Sequence, residues 1–233
     1  MTTIVVNGKA EFLPAELESQ YGTAFTAACE GMNETLAFIN DPDFHNRVGW
    51  KLDCKNDHID VFMKDIGPNR FFVAKVDIPL SSKAGLEMNW GGMTNMTEWN
   101  DNIKFSKCLG TINDHMDIAN YASNKKFMVD SREFVAGRMK VSLANGSEIV
   151  IAKSAKVASH VPDPSSVQAY LHLGAGIYYP SKTNPNESTY EYILSMDLKG
   201  MLLKTVVNQV MGKLVLSDVE NNRLNAIKTA ASK

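Results

Sequence analysis

Asp197-Leu198-Lys199-Gly200-Met201-Leu202-Leu203-Lys204-Thr205-Val206-Val207-Asn208 is the stretch that decides the fold of this chain. A charged turn marked by Gly200 gives way to apolar residues at helical spacing. Leu203, Val207, Val210 and Leu214 make one stripe, and Leu202, Val206 and Met211 widen it. The spacing predicts a long terminal helix reaching about Ala230. Such a stripe buries one face, and either a filled core or a cavity lining satisfies it.

Upstream the period changes from helical to alternating. In residues 189–196, Tyr190, Tyr192, Leu194 and Met196 share one face, and Glu191, Ile193 and Ser195 share the other. Residues 134–143 and 148–154 read as strands joined at Asn145-Gly146, the strongest hairpin signal in the chain. Residues 59–63 and 72–78 alternate around Gly67-Pro68-Asn69, and residues 103–122 hold two strands around Asn113-Asp114. Residues 167–173 and 177–179 read as strand pieces separated by a turn at Gly174-Ala175-Gly176. Residues 14–40 carry a helical pattern weakened by Gly22 and Gly31, which suggests two helices. Residues 81–89 read as a short helix capped by Ser81 or Ser82. The order of helix, many antiparallel strands and long helix gives an α+β fold as one domain over residues 1–233, with no repeat or linker.

Composition narrows the function. Lys plus Arg number 24 against 26 Asp plus Glu, so nucleic acid has no electrostatic footprint and is not an expected partner. Cys29, Cys54 and Cys108 form no C-x-x-C pair, which excludes a zinc motif and fits reduced thiols in the cytoplasm. The first residues lack a secretory pattern, and no apolar run approaches the ~20 residues of a membrane helix.

Catalytic signatures such as G-x-S-x-G, H-E-x-x-H, the P-loop and G-x-G-x-x-G are missing. His45, His58, His115, His160 and His172 do not stand at metal-ligand spacing, so neither metal nor cofactor is expected. Asp114-His115-Met116-Asp117 looks acid-base-like, but its turn position suggests solvated loop residues. The 12 methionines suit either a plastic core or a compliant lining for an apolar ligand.

Ser131-Arg132-Glu133-Phe134-Val135-Ala136-Gly137-Arg138 resembles the R-[DE]-F-V-x-x-R element of the StAR-related lipid-transfer (START) domain. Residues 197–208 resemble the family's D-x-K-G-x-[IL]-P-x-x-[LV]-[VI]-N. Gly49-Trp50-Lys51 and Trp99-Asn100-Asp101-Asn102-Ile103 are similar to its G-W-K and W-D-x-x-[VI]. These matches fall in family order across nearly the whole chain. Leu203 stands where the family has proline, and Val167-Gln168 where it has V-R.

The resemblance implies a helix-grip fold, a curved antiparallel sheet wrapped around the C-terminal helix with an internal hydrophobic tunnel. It implies a cytoplasmic, non-enzymatic carrier of one hydrophobic lipid, a sterol first of all, with transient contact to membrane surfaces. A fatty acid, phospholipid or carotenoid is the alternative cargo, and a cavity-fold enzyme such as a cyclase the rival reading. Candidate ligand contacts are Arg138, Tyr121, Tyr190, Tyr192, Leu194, Val150, Met196, Val207, Val210, Met211 and Leu214. Candidate gate residues are Leu143, Asn145, Gly146 and Leu203.

Arg138 is expected to point into the tunnel. The resemblance puts its acidic partner near Tyr121-Ala122, where this chain has no acid. An unpaired buried guanidinium is costly, which suggests a ligand with an anionic or strongly accepting head.

Overall fold

In the computed structural model, residues 2–126, 129–200 and 204–232 are described. The chain opens with a hairpin, β1 (Thr2–Val6) and β2 (Lys9–Leu13), followed by α1 (Ala15–Asn40) and a short α2 (Pro42–His45). Next come β3 (Lys51–Lys55), β4 (Asp60–Ile66) and β5 (Asn69–Ile78). Then α3 (Ser82–Trp90) leads into a 3-10 segment, Gly91–Glu98. The remaining strands are β6 (Ile103–Asn113), β7 (Met116–Ser123), β8 (Arg132–Ser142), β9 (Glu148–Ser154), β10 (Val167–Gln168), β11 (Tyr170–Pro180) and β12 (Ser188–Asp197). The last element is α4 (Lys204–Ala231).

The main sheet runs β3-β4-β5-β12-β11-β9-β8-β7-β6, antiparallel throughout, with β10 pairing in parallel to β8. Helix α4 meets both ends of this order. A Cβ at Gly212 would lie 1.7 Å from Asp53 Oδ2 on β3, and Asp218 accepts from Asn100 and Asn102 just before β6. A sheet whose two ends reach one helix must curve around it. This is the helix-grip arrangement, α+β in class.

Side-chain alternation divides the sheet into two faces. Ile149, Ile151, Leu173, Ala175, Ile177 and Ile193 pack with Phe25, Cys29 and Met32 of α1. Phe134, Ala136, Leu171, Tyr178, Tyr190 and Leu194 face α4, where Val210, Met211, Val215 and Val219 are buried.

Several local expectations change. Helix α1 is continuous through both glycines, and Gly31 meets the sheet, where a Cβ would lie 3.3 Å from Ile151 and Lys153. Strand β11 runs straight through Gly174-Ala175-Gly176, which is not a turn. Gly176 is needed there because its missing side chain leaves room for the Tyr190 ring, 3.0 Å from a Cβ at that position. The hairpin at Asn7-Gly8 was not expected; both residues take positive φ, as a tight two-residue turn requires.

Candidate functional site

Strands β7, β8, β9, β11 and β12 supply the floor of a cavity, α4 its cover, and the 3-10 segment with the loop before β6 one wall. The hollow holds about 1120 Å³ of empty space, counted with its mouth.

The floor is mainly apolar and aromatic. Val150, Ala152, Leu171, Phe134 and Met196 line it. Tyr190 and Tyr192 stack along it at 6.2 Å between centroids, and Tyr178, buried in the core outside the cavity lining, stacks on Tyr190 at 4.9 Å. Tyr121 stacks on Phe134 at 5.1 Å. Burial raises the hydroxyl pKa of Tyr121, Tyr190 and Tyr192, so these groups stay protonated and able to donate. Among the described residues, none of these three hydroxyls has a protein hydrogen-bond partner.

Arg138 lines this cavity from β8. Its acid is not missing. Asp117 stands directly opposite it on β7. Arg138 Nε donates to Asp117 Oδ1 at 2.7 Å, and Nη2 to Oδ2 at 2.6 Å. Asp117 is therefore a buried strand residue and not a solvated loop acid. Ala122 faces Glu133, well away from Arg138. The guanidinium also sits 4.4 Å from the Trp90 ring centroid, and Nη2 donates to Trp90 O at 3.4 Å. This neutral, satisfied pair removes the reason to expect an anionic ligand head.

Helix α4 contributes polar groups as well. Leu214, Asp218 and Asn222 recur at four-residue steps and line the cavity. Asp218 Oδ1 accepts from Asn102 Nδ2 at 2.6 Å and from Asn100 Nδ2 at 3.2 Å. Burial raises the Asp218 pKa, and the two amide donors oppose that rise. Asn222 is 2% exposed, and its Oδ1 has no hydrogen-bond partner among the described residues.

Arg132 lies where β8 meets the segment leading into α4. Nε donates to Leu198 O at 2.6 Å, Nη2 to Lys199 O at 3.4 Å, and Nη1 to Asp130 O at 2.8 Å. Lys199 and Gly200 both have positive φ, so these carbonyls are presented by a tight left-handed turn. A side hollow lies next to it, lined by Arg70, His172, Asp197, Lys199 and Val207, and it shares Met196 and Leu198 with the main cavity.

A family model for the START domain matches residues 43–228. The chain belongs to the START family of lipid-transfer domains. It is 31% identical over 208 residues to steroidogenic acute regulatory-like protein 1 of Caenorhabditis elegans, spanning 88% of this chain and 80% of that protein. It is 27% identical over 211 residues to the mitochondrial steroidogenic acute regulatory protein of Rattus norvegicus, spanning 87% and 71%. Human StAR-related lipid transfer protein 5 superposes with a TM-score of 0.78 at 15% identity, over 90% of this chain and 98% of that one. Human STARD10 superposes at 0.68 with 16% identity, over 81% and 80%. At these identities the structural likeness establishes the fold.

Within this START domain, Arg138, Tyr121, Tyr190, Tyr192, Val150, Met196 and Leu214 line the cavity together. Leu194, Val210 and Met211 are buried in the surrounding core, and Val207 lines the side hollow. The proposed gate residues Leu143, Asn145 and Gly146 lie elsewhere. Leu143 packs toward the α1-side core, and Ser82 Oγ donates to Gly146 O at 2.8 Å, docking the Asn145-Gly146 turn on α3. Leu203 lies outside the described residues. Gln168, which replaces the family arginine, donates to Glu133 beside Asn120. That cluster does not line the cavity.

Sequence reasoning took Asp117 for a solvated loop acid, quoted Arg132 only within a motif, and passed over Asp218 and Asn222. The last two carried a signal: a carboxylate and an amide interrupt an apolar helical stripe.

Among the described residues, no helix is long and apolar enough to cross a membrane.

Proposed function

We propose that this chain is a non-enzymatic, cytoplasmic carrier that takes one sterol from a membrane, holds it in the cavity under α4 and releases it at another membrane. The whole of residues 1–233 acts as one lipid-binding unit in this reading. The observation that carries it is a largely apolar cavity between the sheet and α4 whose charged floor group, Arg138, is already neutralised by Asp117.

A paired guanidinium retains hydrogen-bonding capacity for a neutral hydroxyl but has little net charge to offer a carboxylate or phosphate. The stacked Tyr190 and Tyr192 rings on the cavity floor suit a rigid ring system. Burying each ligand methylene contributes about 0.8 kcal/mol, which offsets much of the cost of leaving a bilayer. Specificity then rests on a few polar groups, with Arg138 and the hydroxyls of Tyr121, Tyr190 and Tyr192 as ligand contacts. Ligand passage is assigned to the turn at Leu198, Lys199 and Gly200, where the side hollow adjoins the cavity.

Native mass spectrometry with lipid extraction tests the cargo, and sterol movement between donor and acceptor vesicles tests transport. A co-purified sterol and protein-dependent transfer are expected. A bound phospholipid or fatty acid with no sterol transfer would replace the sterol reading. Turnover of the bound lipid would replace the carrier reading with an enzymatic one.

A further inference from the structure

Asp114-His115-Met116-Asp117 has one member whose chemistry the cavity does not use. Asp117 pairs with Arg138, but His115, in the turn between β6 and β7, stands between two other carboxylates. Its Nε2 lies 2.9 Å from Glu11 Oε2 on β2, and its Nδ1 lies 2.7 Å from Asp114 Oδ1. An ionised carboxylate only accepts, and a neutral imidazole has a single N–H. Both contacts are hydrogen bonds only when the ring carries both protons. The geometry is that of an imidazolium.

The His115 side chain is 33% exposed and that of Glu11 17%, so water screens the pair only in part. Burial works against the cation. The hydrogen bonds and charges of Glu11 and Asp114 together outweigh it, and the His115 pKa is raised above the ordinary histidine value. The other neighbours hold the backbone of the turn. Asn113 Oδ1 accepts from His115 N at 3.1 Å, and Lys140 N on β8 donates to His115 O at 3.0 Å. The Lys140 ammonium is engaged by Glu87 of α3 at 3.2 Å.

This contact ties the N-terminal hairpin to the main sheet. The hairpin lies before the residues that the family model matches. It packs in the α1-side core through Val6 and Leu13, and Asn33 Nδ2 of α1 donates to Val5 O at 2.9 Å. Among the described residues, Glu11 makes the hairpin's one side-chain hydrogen bond to the main sheet.

We propose that His115 is a pH-sensitive latch, which as an imidazolium holds the β1–β2 hairpin against the β6–β7 end of the sheet and slackens when the ring loses its proton. Because the folded-state pKa is raised, the stabilisation is complete below the ordinary histidine value, about 6.5. It is lost as pH rises through the raised value. A neutral ring keeps one hydrogen bond and not both, and Val6 and Leu13 stay buried, so the hairpin loosens without unfolding. The latch acts whatever ligand the cavity holds.

NMR of the full chain tests it, following the His115 ring and the amide protection of residues 5–13 from about pH 5 to about pH 9, the span in which histidine titrates. Protection is corrected for the intrinsic pH dependence of exchange. The ring midpoint should lie above the ordinary histidine value, and Glu11→Gln should lower it. Hairpin protection should fall roughly two- to fivefold as the ring deprotonates, the scale of a half-exposed ion pair. In His115→Gln, whose amide can still donate to Glu11, that fall should vanish while β8 and β12 keep their protection. The wild-type midpoint needs no variant, and a value at or below that of ordinary histidine overturns the latch. So does a midpoint that Glu11→Gln leaves unmoved, or a loss of hairpin protection that persists undiminished in His115→Gln.

Discussion

Asp117 and Arg138 occupy directly opposed positions on β7 and β8, and two guanidinium nitrogens each donate to a different carboxylate oxygen. Both residues are more than nine-tenths buried. Antiparallel register holds the pair, so its geometry is fixed by backbone pairing and not by flexible side chains alone. Burying one charge without the other would be prohibitive, whereas a bidentate pair with Trp90 over the guanidinium is tolerable. The cavity thus gains directional hydrogen-bonding capacity near neutral charge.

Removing one partner should therefore be far worse than removing both. Asp117→Ala leaves Arg138 buried without a carboxylate and should destabilise the fold by about 3–5 kcal/mol. Asp117→Leu/Arg138→Met should recover most of that loss while weakening hydroxyl-dependent ligand binding. Urea denaturation of the single and double variants, with sterol titration of the double, measures both. Equal stability losses in the two variants would contradict the pairing.

Arg132 acts on the segment leading into α4. Its guanidinium donates to the carbonyls of Leu198 and Lys199, and hydrogen bonds from a charged donor contribute about 1.5–3 kcal/mol each. Arg132→Ala should loosen this turn locally. Amide exchange at Leu198, Lys199 and Gly200 and in the first turns of α4 should accelerate, while β11 and β12 stay protected. Uniform acceleration across the sheet would indicate global destabilisation.

The two hairpins at Gly67-Pro68 and Asn145-Gly146 were legible in the sequence because turn chemistry and period-two alternation are local. The hairpin at Asn7-Gly8 carried the same chemistry. The acid opposite Arg138 was not legible, since register across β7 and β8 depends on distant residues. Placing it near Ala122 is off by about two pleats, because Ala122 faces Glu133. The tyrosine face of β12 was readable from alternation. That the space above it is a cavity was not, because a filled core and a lined cavity produce the same stripe. Asp218 makes the difference visible only once Asn100 and Asn102 are brought to it from more than a hundred residues away.

Two glycines facing α1 or lying within it should respond to alanine with opposite signs. A Cβ at Gly137 would lie 2.0 Å from Ala24 O, a backbone atom that cannot step aside without moving α1. Gly137→Ala should cost about 1–3 kcal/mol, as overpacking does. A Cβ at Gly22 meets only Glu18 Cγ at 3.8 Å. Gly22→Ala should stabilise by about 0.5–1 kcal/mol through helix propensity. Thermal melts of both variants provide the check, and a neutral Gly137→Ala would mean that α1 does not press on β8 as closely as observed.

Asp218 should leave a signature in the pH dependence of stability. Burial in the cavity wall raises its folded-state pKa above the ordinary aspartate value, mainly by penalising the charged form. The native state then holds the proton more tightly than the unfolded chain. The stability this confers is fully present below the unfolded pKa, about 3.9, and is lost as pH rises through the raised folded pKa. Asp218→Asn keeps an oxygen acceptor for Asn100 and Asn102 and has no proton to lose. The variant should therefore be more stable than wild type at neutral pH, and the gap should close as pH falls toward 4. Urea midpoints of the two proteins across that interval measure the difference. A gap that widens in acid would mean that the carboxylate is favoured in the fold, with the asparagine donors outweighing burial.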